Sequence, residues 1–101
     1  MKQCCKDYLT EQFGDEEVVN EIYAEYAQSI REKLPDFDAA LTAGNWTELD
    51  SLAHAVKGNA LATGDTELAD VAIELRVAAK MSDKDTSSSL LAKLKELAEA
   101  I

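Results

Sequence analysis

One stretch, from Asn45 to Gly64, constrains the fold most, because its apolar residues recur at the spacing of an α-helix. At about 100° per residue, one side of this helix gathers Leu49, Leu52, Val56, Ala60 and Thr63. Asn45 can accept a hydrogen bond from the first-turn amides, and Glu48 can reach back to it in a variant of the capping box. Gly64 is a natural stop. The stretch therefore predicts a capped helix packed along a core.

The single histidine of the chain, His54, falls on the opposite side of this predicted helix. That side also carries Thr47, Asp50, Ser51, Lys57, Gly58 and Leu61. Helical side chains lean toward the N-terminus, so Lys57 leans over His54 and Gly58 leaves the adjoining surface bare. Glycine inside a helix costs about 0.5–1 kcal/mol relative to alanine, which suggests that something approaches closely here. A ring nitrogen, a cation and an open approach suit a phosphoryl acceptor.

Each of these residues has an ordinary interpretation when it is taken alone. A lone surface histidine is usually only a surface residue, Lys57 could be solvated, and Gly58 could mark a close helix crossing. The combination is more specific. The run from Leu52 to Gly58, L-A-H-A-V-K-G, with Gly64 ten residues past the histidine, closely resembles the signature of the histidine phosphotransfer (HPt) domain. The resemblance extends roughly from Phe13 to Ile101.

Length and composition narrow the class of protein. The chain has 101 residues, which suits a single domain, and its formal net charge of −10 disfavours nucleic acid and anionic membranes as partners. No apolar run approaches the roughly 18–20 residues that cross a bilayer, and Met1 to Thr10 lacks the apolar centre of a signal peptide. We therefore expect a cytoplasmic protein that binds neither nucleic acid nor membrane.

The two cysteines, Cys4 and Cys5, are adjacent and lie near an end expected to be mobile. Neighbouring cysteines provide neither a disulfide framework nor the usual spacing of metal ligands. We interpret them as free thiols and expect no metal site.

The rest of the chain also reads as helices, without a strand pattern or an internal repeat. A short N-terminal helix is expected up to Phe13, and a long one, capped by Asp15, is expected to end at Pro35. Pro35 can open a short helix that Gly44 closes. Three further features are expected: a helix capped by Asp65 or Thr66, a polar loop over Ser82–Ser89, and a last helix capped by Asp85 or Thr86.

These elements predict an all-α fold, an antiparallel four-helix bundle with a short additional N-terminal helical segment. Residues 1–101 are expected to form one domain, with the bundle core at about 14–101 and the N-terminal segment at 1–13.

The resemblance implies a fold and a chemistry. HPt domains are four-helix bundles in which the histidine Nε2 accepts a phosphoryl group from a receiver-domain aspartate and passes it to another receiver. By that likeness, His54 is the phosphoacceptor, Lys57 steadies the phosphate charge and Gly58 admits the partner. The expected partners are response-regulator receiver domains and a hybrid histidine kinase. The chain would act as a monomeric carrier without kinase activity or a cofactor of its own, and Mg²⁺ would belong to the receiver.

Two features of this sequence depart from the family pattern. Many members place glutamate or glutamine twelve residues beyond the second glycine, where this chain has Arg76. An arginine could contact the phosphate but cannot accept the ring N–H, and it could instead be solvated beside Glu74. Asp50 and Glu48 also lie one to two turns before His54, where negative charge opposes phosphate.

Partner docking is expected on the histidine side of the helix. Leu61 would offer an apolar contact to a receiver helix, with Ser51 and Ala62 beside it. Transient signalling interfaces of this kind are often small.

Two alternatives belong to other classes of protein. Asp50-Ser51-Leu52 spells the D-S-L attachment motif of acyl carrier proteins, which are also small, acidic and helical, so Ser51 could carry a prosthetic arm. The chain could also be a helical module that binds receivers without carrying phosphate.

Overall fold

The structure is a computed structural model that describes residues 1–101. It contains five helices and no strand: α1 (Gln3–Phe13), α2 (Glu16–Ala43), α3 (Trp46–Thr63), α4 (Thr66–Lys80) and α5 (Lys84–Glu99). The predicted all-α class is therefore confirmed. None of the five helices is both long enough and apolar enough to cross a membrane.

Polar caps and left-handed glycines set most of the helix ends. Asp15 and Asp65 accept hydrogen bonds from first-turn amides of α2 and α4, as expected. Asn45 caps α3 through the Glu48 amide at 3.2 Å. The reciprocal half of the predicted capping box does not form, because the Asn45 amide already donates to the Ala40 carbonyl at the end of α2.

The prediction that a helix ends at Pro35 was wrong. Pro35 lies inside α2, which runs without interruption to Ala43. A proline in a helix interior removes one backbone hydrogen bond and costs about 3 kcal/mol. Residues on both sides of it bury the same face, with Ile30 before and Phe37 after fully buried in the core. Burying a side chain of that size contributes about 1.5–3 kcal/mol, so the continuous helix is favoured.

The predicted polar loop over Ser82–Ser89 is also largely helical. Asp83 accepts from the Thr86 amide at 3.1 Å and caps α5, so neither Asp85 nor Thr86 is the cap. Ser87 is then fully buried, and its Oγ has no hydrogen-bond partner. The turn that remains between α4 and α5 is short and contains Ser82 at φ 52°.

The helices pack around one core. α3 contacts α2 and α4, α4 contacts α5, and α5 returns to α2, while α1 packs on α2 and α3. Ala53, rather than the predicted Leu52, faces the core from α3, and Leu52 packs at its edge. Trp46, the first residue of α3, also packs against this core. In this arrangement α3 lies between α2 and α4.

The N-terminal helix is fastened to the rest of the chain by a buried polar cluster. The Lys2 Nζ and the Tyr26 hydroxyl each donate to Asp65 Oδ2 at 2.8 Å, and the Asp65 side chain is 1% exposed. The backbone N–H of Lys2 donates to the Tyr23 hydroxyl at 3.2 Å. The pKa of the Tyr26 hydroxyl is raised by burial and by its bond to Asp65. The segment is therefore anchored at the turn between α3 and α4.

Both cysteines lie in this helix rather than at a mobile end. Cys4 is exposed and Cys5 is fully buried, and both thiols are free. Burial, together with the nearby Asp65 carboxylate, raises the pKa of the Cys5 thiol to about 12. Cys5 therefore behaves as a small core residue.

Candidate functional site

His54 lies on the solvent side of α3, as the helical spacing predicted. Its side chain is exposed, whereas Ala53 beside it is fully buried. Two side-chain bonds fix how α3 is rotated. Asp50 bonds to Arg76 of α4 at 2.8 Å, and Asn59 donates to Ser29 of α2 at 3.2 Å. The imidazole projects outward between the contact with α4 and the contact with α2.

Gly58, one turn after the histidine, leaves open space. A Cβ built on this residue would meet no atom within 4 Å, so the glycine does not serve a close helix crossing. The side-chain hydrogen bonds within α3 are made by Asn45, Asp50, Asn59 and Thr63. The His54 imidazole and the half-buried Lys57 amine are therefore free to meet a ligand.

Arg76 is tied to α3 by an ion pair. Its Nε donates to Asp50 Oδ1 at 2.8 Å, so its partner is Asp50 and not Glu74, which was one of the alternatives. Asp50 lies one turn before His54 on the same side of α3, where its charge alone would repel phosphate. The guanidinium offsets that charge and still has terminal N–H groups to donate.

A known protein family matches most of this chain. The sequence model of the Hpt domain matches residues 21–101. The chain belongs to the Hpt domain family. No curated protein and no solved structure matched the chain. Membership of this family implies histidine phosphotransfer in a phosphorelay, with receiver domains as partners. Hpt domains carry phosphate without catalytic activity of their own.

The predicted docking residues of this Hpt domain lie on the outer surface of α3. Leu61 is 47% exposed, and Ser51 and Ala62 are exposed as well. Ala62 lines the cleft between α3 and α2, next to Asn59 and Ser29. Ser51 stands in the second turn of α3 rather than at a helix N-terminus, which differs from the position of the acyl-carrier serine.

A second group of possible ligand atoms lies away from His54. Three residues, Cys4, Cys5 and Asp65, each offer one possible ligand atom. These three atoms all lie within 4.8 Å of one another. Asp65 already accepts hydrogen bonds from Lys2 and Tyr26, and burial keeps the Cys5 thiol protonated. We interpret this group as part of the anchor that holds α1.

The Asp50–Arg76 pair is the part of the site that sequence reasoning missed. A signal for it was present in the spacing. Asp50 lies fourteen residues before Gly64 and Arg76 lies twelve after it. Two antiparallel helices joined at a short turn bring such positions to nearly the same level.

Proposed function

We propose that this Hpt domain is a phosphorelay intermediate in which His54 carries the phosphoryl group. The observation that supports it best is the outward-facing, unpartnered imidazole beside the bare backbone at Gly58. A receiver domain must bring its aspartyl phosphate within bonding distance of a ring nitrogen. A histidine at the centre of a long rigid helix, with no side chain one turn further on, permits that approach.

The transfer step needs little from the carrier. The ring Nε2 attacks phosphorus, a P–N bond forms, and the P–O bond of the aspartyl phosphate breaks. The aspartate leaves as a carboxylate with the electron pair, and the ring keeps the proton on Nδ1. Phosphoryl transfer depends mainly on positioning and electrostatic stabilisation, because the charge is spread over peripheral oxygens. Mg²⁺ comes with the receiver, so the carrier holds no cofactor.

Cations near His54 have separate roles in this proposal. Lys57, one turn after the histidine, forms a charge-assisted contact to the phosphate once it has arrived. Arg76 is held by Asp50 and removes the repulsion which that carboxylate would exert. Its remaining N–H groups are a second source of positive charge for the phosphoryl oxygens.

We also propose that α2 to α5 form an antiparallel four-helix bundle with α1 packed on its outside. The closed order of contacts, from α2 through α3, α4 and α5 back to α2, supports this arrangement. The expected setting is a cytoplasmic monomer that receives phosphate through a hybrid histidine kinase and passes it to a response regulator.

The direct test mixes the protein with a receiver domain carrying radioactive phosphate on its aspartate. The wild-type chain should acquire a phosphate that is labile in acid and stable in alkali, which is the behaviour of phosphohistidine. His54→Gln should acquire none while keeping its helical circular dichroism spectrum. Equal labelling of His54→Gln and wild type would reject His54 as the carrier.

A further inference from the structure

A groove of about 370 Å³ between α4 and α5 lies away from the histidine surface. Arg76 of α4 bonds to Asp50 of α3, whereas Glu74, two residues earlier, lines the groove. Residues two apart on a helix point about 200° apart, so these two side chains lie on opposite flanks of α4. A molecule bound in the groove therefore leaves the outer face of α3, with His54, uncovered.

A row of exposed apolar side chains lines the α4 side of this groove. Ile73, Val77 and Met81 follow one another at intervals of four residues and are 42%, 54% and 73% exposed. Four residues make about one helical turn, so the row runs along the helix. Leu90 lines the groove from α5, and the small, buried Ala78 lines it between the larger side chains. Contiguous exposed apolar surface on a small protein usually marks an interaction site.

The charged side chains that line the groove are both acidic. Glu74 of α4 and Asp83 before α5 belong to the lining. Asp70 is exposed one turn before Glu74, on the same flank of α4. None of these three carboxylates takes part in an ion pair. The apolar row is therefore bordered by negative charge.

The lysines of α4 and α5 do not line the groove. Lys80 lines a different cleft, beside Trp46 on the α3 side of α4. Lys84 and Lys93 are exposed on α5 outside the groove lining, and Lys95 is paired with an aspartate of α2. No cation within the lining offsets the two carboxylates.

The shape and charge of the groove determine which partner fits. A groove between two packed helices accepts a third helix that inserts apolar side chains at helical spacing. Carboxylates at its border complement lysine or arginine beside those apolar residues. A second copy of this chain fits poorly, because each copy carries a formal net charge of −10. We infer that the groove between α4 and α5 docks a basic amphipathic helix of a partner protein.

The docked helix is short, and its role differs from that of the phosphoacceptor. Ile73 and Met81 are eight residues apart, or about 12 Å along the helix axis, which matches two to three turns of a partner. Such a contact tethers the carrier to another protein while receivers reach His54. It does not depend on phosphate at that histidine.

The first experiment measures the binding of a synthetic fluorescent peptide by anisotropy. The peptide contains leucine and lysine, with leucines at every third or fourth position so that they share one helical face. A control peptide has the same composition with its leucines spread around the helix. The first peptide should bind the wild-type chain about tenfold or more tightly than the control. Equal affinities would overturn the inference, because charge alone would then account for binding.

Variants of the chain separate the groove from general attraction between opposite charges. Val77→Asp should weaken binding about tenfold or more, although its added negative charge would strengthen a purely electrostatic contact. Val18→Asp adds the same charge at an exposed position in α2 and should not weaken it. Unchanged or tighter binding by Val77→Asp would overturn the inference. If circular dichroism shows that Val77→Asp does not fold, Met81→Ser is held to the same expectation.

The acidic border has a matched pair of its own. Glu74→Lys should weaken binding of the leucine–lysine peptide about threefold or more beyond Glu21→Lys, which makes the same charge change at an exposed position of α2. Equal affinities of the two variants would show that the groove does not select a basic helix. The difference should shrink at high salt, because the side chains are exposed.

The last experiment locates the peptide on the isotope-labelled chain by nuclear magnetic resonance. Amide signals from Ile73 to Met81 and from Thr86 to Leu90 should shift, and those around His54 should stay unchanged. Shifts centred on α2 and α3 would overturn the inference. A homodimer of the free chain that Val77→Asp dissociates, seen by sedimentation, would also overturn it, since a second copy would then fill the groove.

Discussion

Arg76 of α4 and Asp50 of α3 are joined by a 2.8 Å ion pair one turn before His54. Both side chains are about one-quarter exposed, so the pair is partly shielded from water. It links α3, which carries His54, to the neighbouring helix α4. The pair also contributes to the charge near His54.

Arg76→Gln should slow phosphate transfer to His54. A carboxylate about 6 Å from a phosphate, at an effective dielectric of about 40, opposes it by about 1.4 kcal/mol, or about tenfold in rate. If Arg76 acts by neutralising Asp50, the double variant Asp50→Asn with Arg76→Gln should recover most of the rate. A double variant as slow as Arg76→Gln would show that the guanidinium contacts the phosphate itself. Transfer kinetics from one phosphorylated receiver measure all three proteins.

Two substitutions at Gly58 should distinguish its effect on the stability of the fold from its effect on the access of a receiver to His54. Gly58→Ala should raise the free energy of unfolding by about 0.5–1 kcal/mol, because alanine favours the helix and its Cβ meets no neighbour. Gly58→Leu should keep the fold but slow transfer from a receiver, since its side chain leans back over His54. Urea denaturation and transfer assays measure the two effects. A Gly58→Leu protein that transfers at the wild-type rate would remove the role proposed for this glycine.

Lys57→Ala should slow transfer about tenfold with the fold intact, because a charge-assisted contact to the phosphate is lost. Lys57→Arg keeps a cation at the same turn and should retain most of the rate. Lys84→Ala, at the exposed start of α5, removes the same charge far along the chain and serves as the control. Equal rates for Lys57→Ala and Lys84→Ala would contradict the proposal.

Cys5 should make the fold sensitive to alkali. The pKa of its thiol is about 12 in the folded chain against 9.0 for an ordinary cysteine, so the native state binds the extra proton between these values. Its contribution is fully present below pH 9 and is lost as the pH rises toward 12, with a slope of at most about 1.4 kcal/mol per pH unit. Between pH 9 and 10.5, the free energy of unfolding of Cys5→Ala, measured by urea titration at each pH, should fall less steeply with pH than that of the wild type. Cys4→Ala should follow the wild-type slope.

Ser87 is a buried hydroxyl without a partner, so replacing it should stabilise the protein. Ser87→Ala should raise the free energy of unfolding by about 1 kcal/mol more than Ser88→Ala, its exposed neighbour in the same helix. The comparison removes the gain in helix propensity that both changes share. Equal midpoints in urea would mean that the Ser87 hydroxyl is satisfied in solution.

Local spacing was enough to predict much of this molecule. The outward position of His54 and the inward positions of Leu49 and Val56 follow from the helical period alone, and both are observed. The caps at Asp15 and Asn45 follow from short-range chemistry.

Features that depend on distant parts of the chain were not predicted. The local cost of Pro35 suggested a break, but burial of Phe37 against other helices outweighs it. Lys2 and Asp65 form a partly buried ion pair across a separation of 63 residues. No local pattern marks such a pair, since it depends on where α1 packs. The same holds for Cys5, whose burial depends on that packing.

The turn around Gly64 joins α3 to α4 and also holds the N-terminal helix α1. Tyr8 of α1 packs so closely on this glycine that a side chain there would have no room, and Asp65, the next residue, holds Lys2. The family match begins at residue 21 and therefore leaves out the helix that covers this turn. A shortened version cut at that boundary would expose a carboxylate and two tyrosines to water, so we expect it to be less stable than the full chain.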